Sequence, residues 1–276
     1  MIGKKTAAVV VSTGLLLLSA CGEQQLPEEV YKQSIEAMEE LDSVYFTHSN
    51  SLNAEQEGVS NFTRGVVQYS DPLEAYIKTN MNLIDLEEPV ELDLRVNGDE
   101  IEIREKEEWE EYDTEVSELD SLMRPAEDMN FFLDFEEEFL MKEEDDYYEV
   151  SFKGTDERHH TLVEKKLNSL GITESAGGLS QKALDSIQLD RIDMVAYIDK
   201  DTDLLLGYDS RFTFTIELAG ELREFNEISY VRYEDYNEVD GNLETYMEEK
   251  VKEIERQQME EQQGEEETEA KEETIE

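Results

Sequence analysis

The sequence predicts an α+β fold: an antiparallel sheet of about eight to eleven strands with three or four helices packed on it. Three observations predict it. Twice along the chain, segments with three- and four-residue apolar spacing lead into long two-residue alternations. Asp71-Pro72 and Asn97-Gly98, the second a strong hairpin dipeptide, separate successive alternating runs and so read as the turns of a meander. Cysteine occurs once, so no intramolecular disulfide can staple the chain, and an ordinary hydrophobic core must hold it. The two helix-then-sheet stretches share no residue-level repeat.

The first helix is read over residues 27–42. Pro27 suits its opening turn, and Val30, Tyr31, Ser34, Ile35, Met38 and Leu41 form one face, opposite Glu28, Lys32, Glu36 and Glu39. Strands follow from Val44, over residues 59–69, and over residues 73–81, where Leu73, Ala75, Ile77, Thr79 and Met81 alternate with polar neighbours. Val90, Leu92, Leu94 and Val96 face one side of the next, and Ile101 and Ile103 return after the turn. Pro125 opens a second helix in which Met129, Phe132, Phe135 and Phe139 share a face, followed by a strand over residues 147–152. Residues 156–170 read as a helix closed by Gly171, and Ser180 as the cap of a short helix reaching Ile187. Three strands then run near 192–199, 211–218 and 225–236. Residues 243–259 are helix-compatible, with a thin stripe of Leu243, Met247, Val251 and Ile254. Residues 260–276 lack the apolar content to offset ordering entropy and read as a disordered acidic tail.

Ahead of this body lies an export signal. Lys4 and Lys5 form a charged start, residues 7–18 an apolar stretch, and Ser19 and Ala20 precede Cys21. The apolar run reaches roughly 22 Å as a helix, short of the roughly 30 Å hydrocarbon core, so it reads as a removable signal and not a span. Leu18, Ser19, Ala20 and Cys21 resemble the lipobox of bacterial lipoproteins. That resemblance implies that the soft sulfur nucleophile of Cys21 takes a diacylglyceryl group and becomes the new N-terminus. The organisation expected is a signal peptide over 1–20, a lipidated tether over 21–26, one domain over 27–242 and the acidic C-terminal helix and tail over 243–276. Two acyl chains hold a protein stably at a membrane where one is marginal, which places the domain on the extracytoplasmic face of the cell membrane.

Charge excludes several partners. The chain carries 72 acidic against 24 basic residues, a formal net charge of −48. Such a field repels nucleic acid and anionic headgroups, which argues against nucleic-acid binding and against a polybasic membrane dock. Dense surface carboxylates chiefly keep an exported protein soluble.

Candidate chemistry is sparse. Asp199, Asp201 and Asp203 have the opening spacing of a calcium loop, but Leu204 stands where glycine is needed and Ser210 where a bidentate glutamate is needed, so the segment reads as a hairpin turn. His159 and His160 are adjacent and point to different helix faces, while His160 and Glu164 share a face as a helix contact. His48 reads as a partly buried strand residue. Gly177 and Gly178 lack a following lysine and read as a loop. With no metal pattern, no nucleophile elbow and no nucleotide fingerprint, the sequence points to no cofactor and to no enzyme.

The lipobox, Glu40-Leu41-Asp42-Ser43 ahead of a strand, the Asp71-Pro72 turn, residues 97–112 with the lone Trp109, and Tyr197-Ile198-Asp199-Lys200-Asp201-Thr202 together resemble small uncharacterised lipoproteins of low-GC Gram-positive bacteria. Those are similar to the lipoprotein-carrier (Lol-type) half-barrel. The resemblance implies a strongly curved antiparallel sheet wrapping its helices, with a concavity that holds acyl chains in carrier relatives. It transfers no catalytic residue. Two functions are therefore expected: a binding module for a lipid or other hydrophobic small molecule, with Phe132, Phe135 and Phe139 in the cavity wall, or an envelope interaction protein whose acidic surface engages a protein partner or cations.

The anchor is tested at Cys21. Cys21→Ser abolishes incorporation of radiolabelled palmitate, because oxygen does not replace the thiolate in forming the thioether. Label on the serine variant, or none on the wild type, overturns the assignment.

Overall fold

The computed structural model describes residues 25–54, 57–82, 88–169, 179–218 and 220–273. The expected export signal, Cys21, Gly171, Gly177 and Gly178 lie outside the described residues.

Helix α1 (Pro27–Glu39) begins as its composition dictates. Pro27 occupies the first turn, the Leu26 carbonyl accepts from the Glu29 and Val30 amides, and Val30, Tyr31, Ser34 and Met38 are buried. Strands β1 (Ser43–Ala54), β2 (Glu57–Gln68), β3 (Glu74–Asn82), β4 (Val90–Asn97), β5 (Glu100–Arg104) and the two-residue β6 (Glu110–Glu111) form the first meander. Gly98, at φ +60°, supplies the left-handed position of the β4–β5 turn. A helical stretch follows: a 3₁₀ turn at Val116–Leu119, α2 (Asp120–Met123) and a long 3₁₀ segment over Pro125–Glu138. Then come β7 (Leu140–Glu143), β8 (Tyr147–Gly154), α3 (His160–Ser169), α4 (Gln181–Leu184), β9 (Gln188–Asp199), β10 (Leu205–Leu218), β11 (Glu221–Glu234) and α5 (Leu243–Glu273).

The eleven strands make one curved, open antiparallel sheet in the order β6-β5-β4-β3-β2-β1-β11-β10-β9-β8-β7, so the α+β class and the half-barrel-like architecture expected from the sequence are found. The pairing of β1 with β11, from Tyr45 opposite Glu234 to Ala54 opposite Phe225, joins the two meanders. On one face Val44, Phe46, Val67, Ile77, Phe152, Met194, Tyr208 and Phe212 form the main core with α1, α3, α4 and the 3₁₀ segment. Gly65 stands opposite Phe46 because the Phe46 ring lies over it, where a Cβ would overlap the ring.

The other face carries a second, smaller core. Tyr45, Val66 and Tyr76 point outward from adjacent strands and are covered by Leu243 and Met247 of α5, with Val251 and Ile254 partly buried beside them. The stripe seen in the sequence is thus the docking face of this helix. Asn242 caps it by accepting from the Thr245 amide at 3.0 Å. Glu244 bonds Arg95 at 2.7 Å and Arg104 at 3.0 Å, and both guanidinium groups lie over the Trp109 ring, at 4.1 and 4.5 Å from its centroid.

Four elements differ from the sequence reading. The helix expected from Pro125 is 3₁₀ and breaks at Phe135, whose φ and ψ are −129° and 24°. Met129, Phe132 and Phe135 recur every third residue, the period of a 3₁₀ helix, and that spacing presents all three to the sheet without α-helical winding. Helix α5 runs past Met259 to Glu273, through residues dominated by glutamate, glutamine, lysine and alanine, all good helix formers. Strands β6 and β7 have too few residues to show a two-fold alternation, and the sequence reading did not contain them.

The docked helix predicts a stability contrast. Met247, 2% exposed, loses its contacts in Met247→Ala at a cost of about 2 kcal/mol, whereas exposed Glu248→Ala stays within about 0.5 kcal/mol. Urea unfolding midpoints check this, and equal small effects would show that α5 does not hold the outer face.

Candidate functional site

Phe132, Phe135 and Phe139, the expected cavity wall, come together around one ring. Their centroids lie 5.6, 5.9 and 6.4 Å from that of Phe152, with Tyr31 at 4.6 Å from Phe139 and Phe212 at 6.3 Å from Phe132. The three are 2%, 9% and 6% exposed, and edge-on packing of this kind adds to area burial. His159 closes the cluster, at 4.8 Å from Phe135. Its Nδ1 accepts from the Asp156 amide at 3.2 Å, and its Nε2 lies 3.2 Å from Glu138 Oε1, which ties the 3₁₀ segment to the turn before α3.

Among the described residues an apolar cleft lies elsewhere, lined by other side chains. It has a volume of about 80 Å³ and opens between α1, the start of the 3₁₀ segment and the sheet. Helix α1 contributes Ser34, Ile35, Met38 and Glu39; Ala126, Glu127, Met129 and Asn130 come from the 3₁₀ segment, with Arg124 just before it; Tyr69, Leu205 and Tyr233 come from the sheet side. Ser34, Met38, Met129, Leu205 and Tyr233 are buried and form the floor, while Glu39 and Glu127 are exposed and Arg124 is half-exposed, placing the charges at the rim. The Arg124 guanidinium lies over the Tyr69 ring at 4.2 Å. Tyr31 and Tyr69 donate their hydroxyls to the Met129 and Met123 carbonyls at 2.9 and 3.0 Å, fixing the 3₁₀ wall to α1 and to the sheet. The hydroxyls of Ser34 and Tyr233 have no hydrogen-bond partner among the described residues. Burial pushes the Tyr69 phenol up to about 12 and the Tyr233 phenol well above its ordinary value, so both stay protonated.

A polar island interrupts the core beside this cleft. Lys166 of α3 donates to Asp128 Oδ2 at 2.7 Å and lies 3.5 Å from Glu227 Oε1, which also accepts from Asn50 at 2.5 Å. Glu227 is 1% exposed and its second oxygen has no hydrogen-bond partner among the described residues. Burial pulls the Lys166 ammonium down, but Asp128 and Glu227 outweigh it and hold the group up at about 12. Burial lifts the Glu227 carboxyl, against the pull of Lys166. His48, next along the inner face, has its Nε2 2.8 Å from Ser229 Oγ, and burial, with Lys166 adding to it, holds the imidazole down at about 4.

The remaining sequence candidates fall where their bland readings put them. Asp199 Oδ1 accepts from the Asp201 amide at 3.1 Å and from the Thr202 amide and hydroxyl at 2.9 and 2.7 Å, which builds the β9–β10 turn. Asp203 sits in that turn at φ +58°. His160 Nδ1 lies 3.4 Å from Glu164. The sequence reading missed Ser34 and Lys166 as site residues, yet both carry a signal: each is the one polar member of an apolar helix stripe, Ser34 among Val30, Tyr31, Ile35 and Met38, and Lys166 among Leu162, Val163 and Leu167.

The fold and cleft define a class: an extended, curved antiparallel sheet filled on one face by helices, with a small apolar cleft between the first helix and the sheet. The chain belongs to the family of unknown function DUF6612, which it matches over residues 27–241. No curated protein matches it. Among solved structures it is similar to the lipoprotein LppX of Mycobacterium tuberculosis, at 16% identity over 78% of this chain and 97% of that one, with a TM-score of 0.42. It is similar to LprF of Mycobacterium bovis at 10% identity over 79% and 96% of the two chains, with a TM-score of 0.41. A LolA superfamily protein of Nitrosomonas europaea, also at 10% identity over 79% and 96%, has a TM-score of 0.27. Among the described residues no helix is long and apolar enough to cross a membrane.

The island has a pH signature. The folded protein keeps His48 neutral down to about pH 4, while the unfolded chain protonates near 6.5. The unfolded state therefore binds more protons in that window, and His48 removes stability as pH falls through it. His48→Gln loses less stability than the wild type between pH 6.5 and 4, by about 2 kcal/mol after allowance for partial exposure. Parallel urea unfolding curves across that range would show that His48 is not held neutral.

Proposed function

We propose that this protein is an extracytoplasmic lipoprotein, anchored through Cys21, whose domain binds a small hydrophobic or amphiphilic ligand in the cleft between α1 and the sheet. The observation that carries the reading is the cleft itself: a floor of Met38, Met129, Leu205 and Tyr233 inside a rim of charged side chains. Apolar walls with a few placed polar groups are the usual make-up of small-molecule sites. At about 80 Å³ the cleft exceeds the roughly 10–15 Å³ that one water needs and falls well below the roughly 300–1,000 Å³ of a drug-sized site. That size suits one short chain or the end of a longer one. Ser34 has no base on its hydroxyl, so the cleft supports binding and not nucleophilic catalysis.

The second reading is an interaction protein of the envelope, whose acidic surface engages a protein partner or cations. It draws support from the tight packing of Phe132, Phe135 and Phe139 on Phe152, which leaves the aromatic cluster to stabilise the fold.

Titration with a fluorescent short-chain fatty acyl probe separates the two. The full chain carrying Cys21→Ser binds it saturably, and Ala126→Trp, which fills the cleft from its wall, weakens binding at least tenfold with little change in melting temperature. Absence of saturable binding rejects the ligand reading and leaves the interaction reading standing.

A further inference from the structure

We propose that the ligand of the cleft is an apolar α-amino acid, with its side chain inside and its ammonium and carboxylate held by the charged rim of Arg124, Glu39 and Glu127. The inference rests on the cleft reading above and names the chemical class of the ligand.

The void fixes the apolar part. One water needs roughly 10–15 Å³ of such space, so about 80 Å³ admits about five or six heavy atoms, enough for a leucine or methionine side chain and too little for a long acyl chain. Met38, Met129 and Leu205 supply apolar contacts to a group of that size. So short a group buries little surface, and a ligand that carries it needs further recognition at its head.

The rim sets the head, because it carries both signs of charge. Arg124 Nε lies 4.0 Å from Glu127 Oε1, longer than a hydrogen bond, and the guanidinium is held over the Tyr69 ring at 4.2 Å. A stacked guanidinium keeps a planar fork of donors suited to a carboxylate. Glu39 and Glu127 line the cleft with it. Glu39 also ends α1, whose last turn has no basic side chain, so the negative end of the helix dipole adds to the two carboxylates in attracting an ammonium. A head of single charge meets a like charge whichever sign it has: an anion pairs with Arg124 beside two carboxylates, and a cation pairs with those carboxylates beside a guanidinium. A zwitterion finds a partner for each end. With no net charge, it is also not repelled by a chain of formal charge −48.

The test holds one branched chain constant and varies its head. L-leucine, 4-methylpentanoic acid, 3-methylbutylamine and 3-methylbutan-1-ol are titrated by calorimetry into the full chain carrying Cys21→Ser. Leucine should bind at least tenfold tighter than each of the other three. Arg124→Gln should bring leucine down to the affinity of the amine without weakening the amine. Glu39→Gln combined with Glu127→Gln should bring leucine down to the affinity of the acid without weakening the acid. Glu39 and Glu127 are exposed, so this second variant folds as its parent does and decides the matter even where loss of the Arg124 stacking on Tyr69 lowers the melting temperature. Equal binding of all four compounds, tighter binding of any analogue than of leucine, or a preference for leucine that survives in both variants overturns the zwitterion inference and leaves the cleft reading intact. Binding of none of the four overturns both.

Discussion

The β1–β11 ladder is the constraint on which the rest of the molecule depends. Ten register pairs, from Tyr45 opposite Glu234 to Ala54 opposite Phe225, hold together segments from opposite ends of the domain. Without it there are two meanders, each with an unpaired edge; with it there is one sheet, wide enough to curve around α1, α3, α4 and the 3₁₀ segment. Its two flanking strands also carry both cores. Phe46 and Tyr233 face the helices from neighbouring strands, while Tyr45, between Val44 and Phe46, faces α5. Contacts so distant in sequence repay their loop entropy only once both layers have assembled, which makes the sheet and its two coverings one cooperative unit.

Helix α5 illustrates how an acidic chain manages its charge. Arg95 and Arg104 converge on Glu244 with Trp109 beneath them, and Lys250 reaches Glu234 at 2.9 Å and Asp235 at 2.8 Å. Against 72 acidic residues the 24 basic ones are scarce, and several are spent fastening this helix to the outer face. Such partly exposed pairs contribute modestly one by one. Their larger effect is orientation: they select the register in which Leu243 and Met247 fall over Val66 and Tyr76.

Much of this was legible in the sequence, and the reasons differ by element. The strands with strict alternation, such as residues 192–198 and 212–218, were readable because one face is buried and a slip by one residue would expose it. The Asn97-Gly98 turn, the Ser180 cap and the α5 stripe were readable from local chemistry alone. The 3₁₀ winding at Pro125–Glu138 was not, since a spacing of three suits either helix and only the sheet beneath decides. The cleft was the least legible feature. Large aromatic side chains are the obvious sequence candidates for its wall, but Phe132, Phe135 and Phe139 pack around Phe152, and the cleft is lined by Ser34, Met38 and Met129. Burial of Tyr233 follows from the alternation of β11.

Two kinds of buried polar group occur in this core, and their energetics differ. Lys166, Asp128, Glu227 and Asn50 bond one another across α3, the 3₁₀ segment and two strands, so removing a charged member leaves its partner's charge buried with less compensation. Ser34 and Tyr233 have no such mutual dependence. Alanine or phenylalanine in their places would keep the apolar stripe of α1 and the inward row of β11, and would remove two unmade hydrogen bonds from the interior.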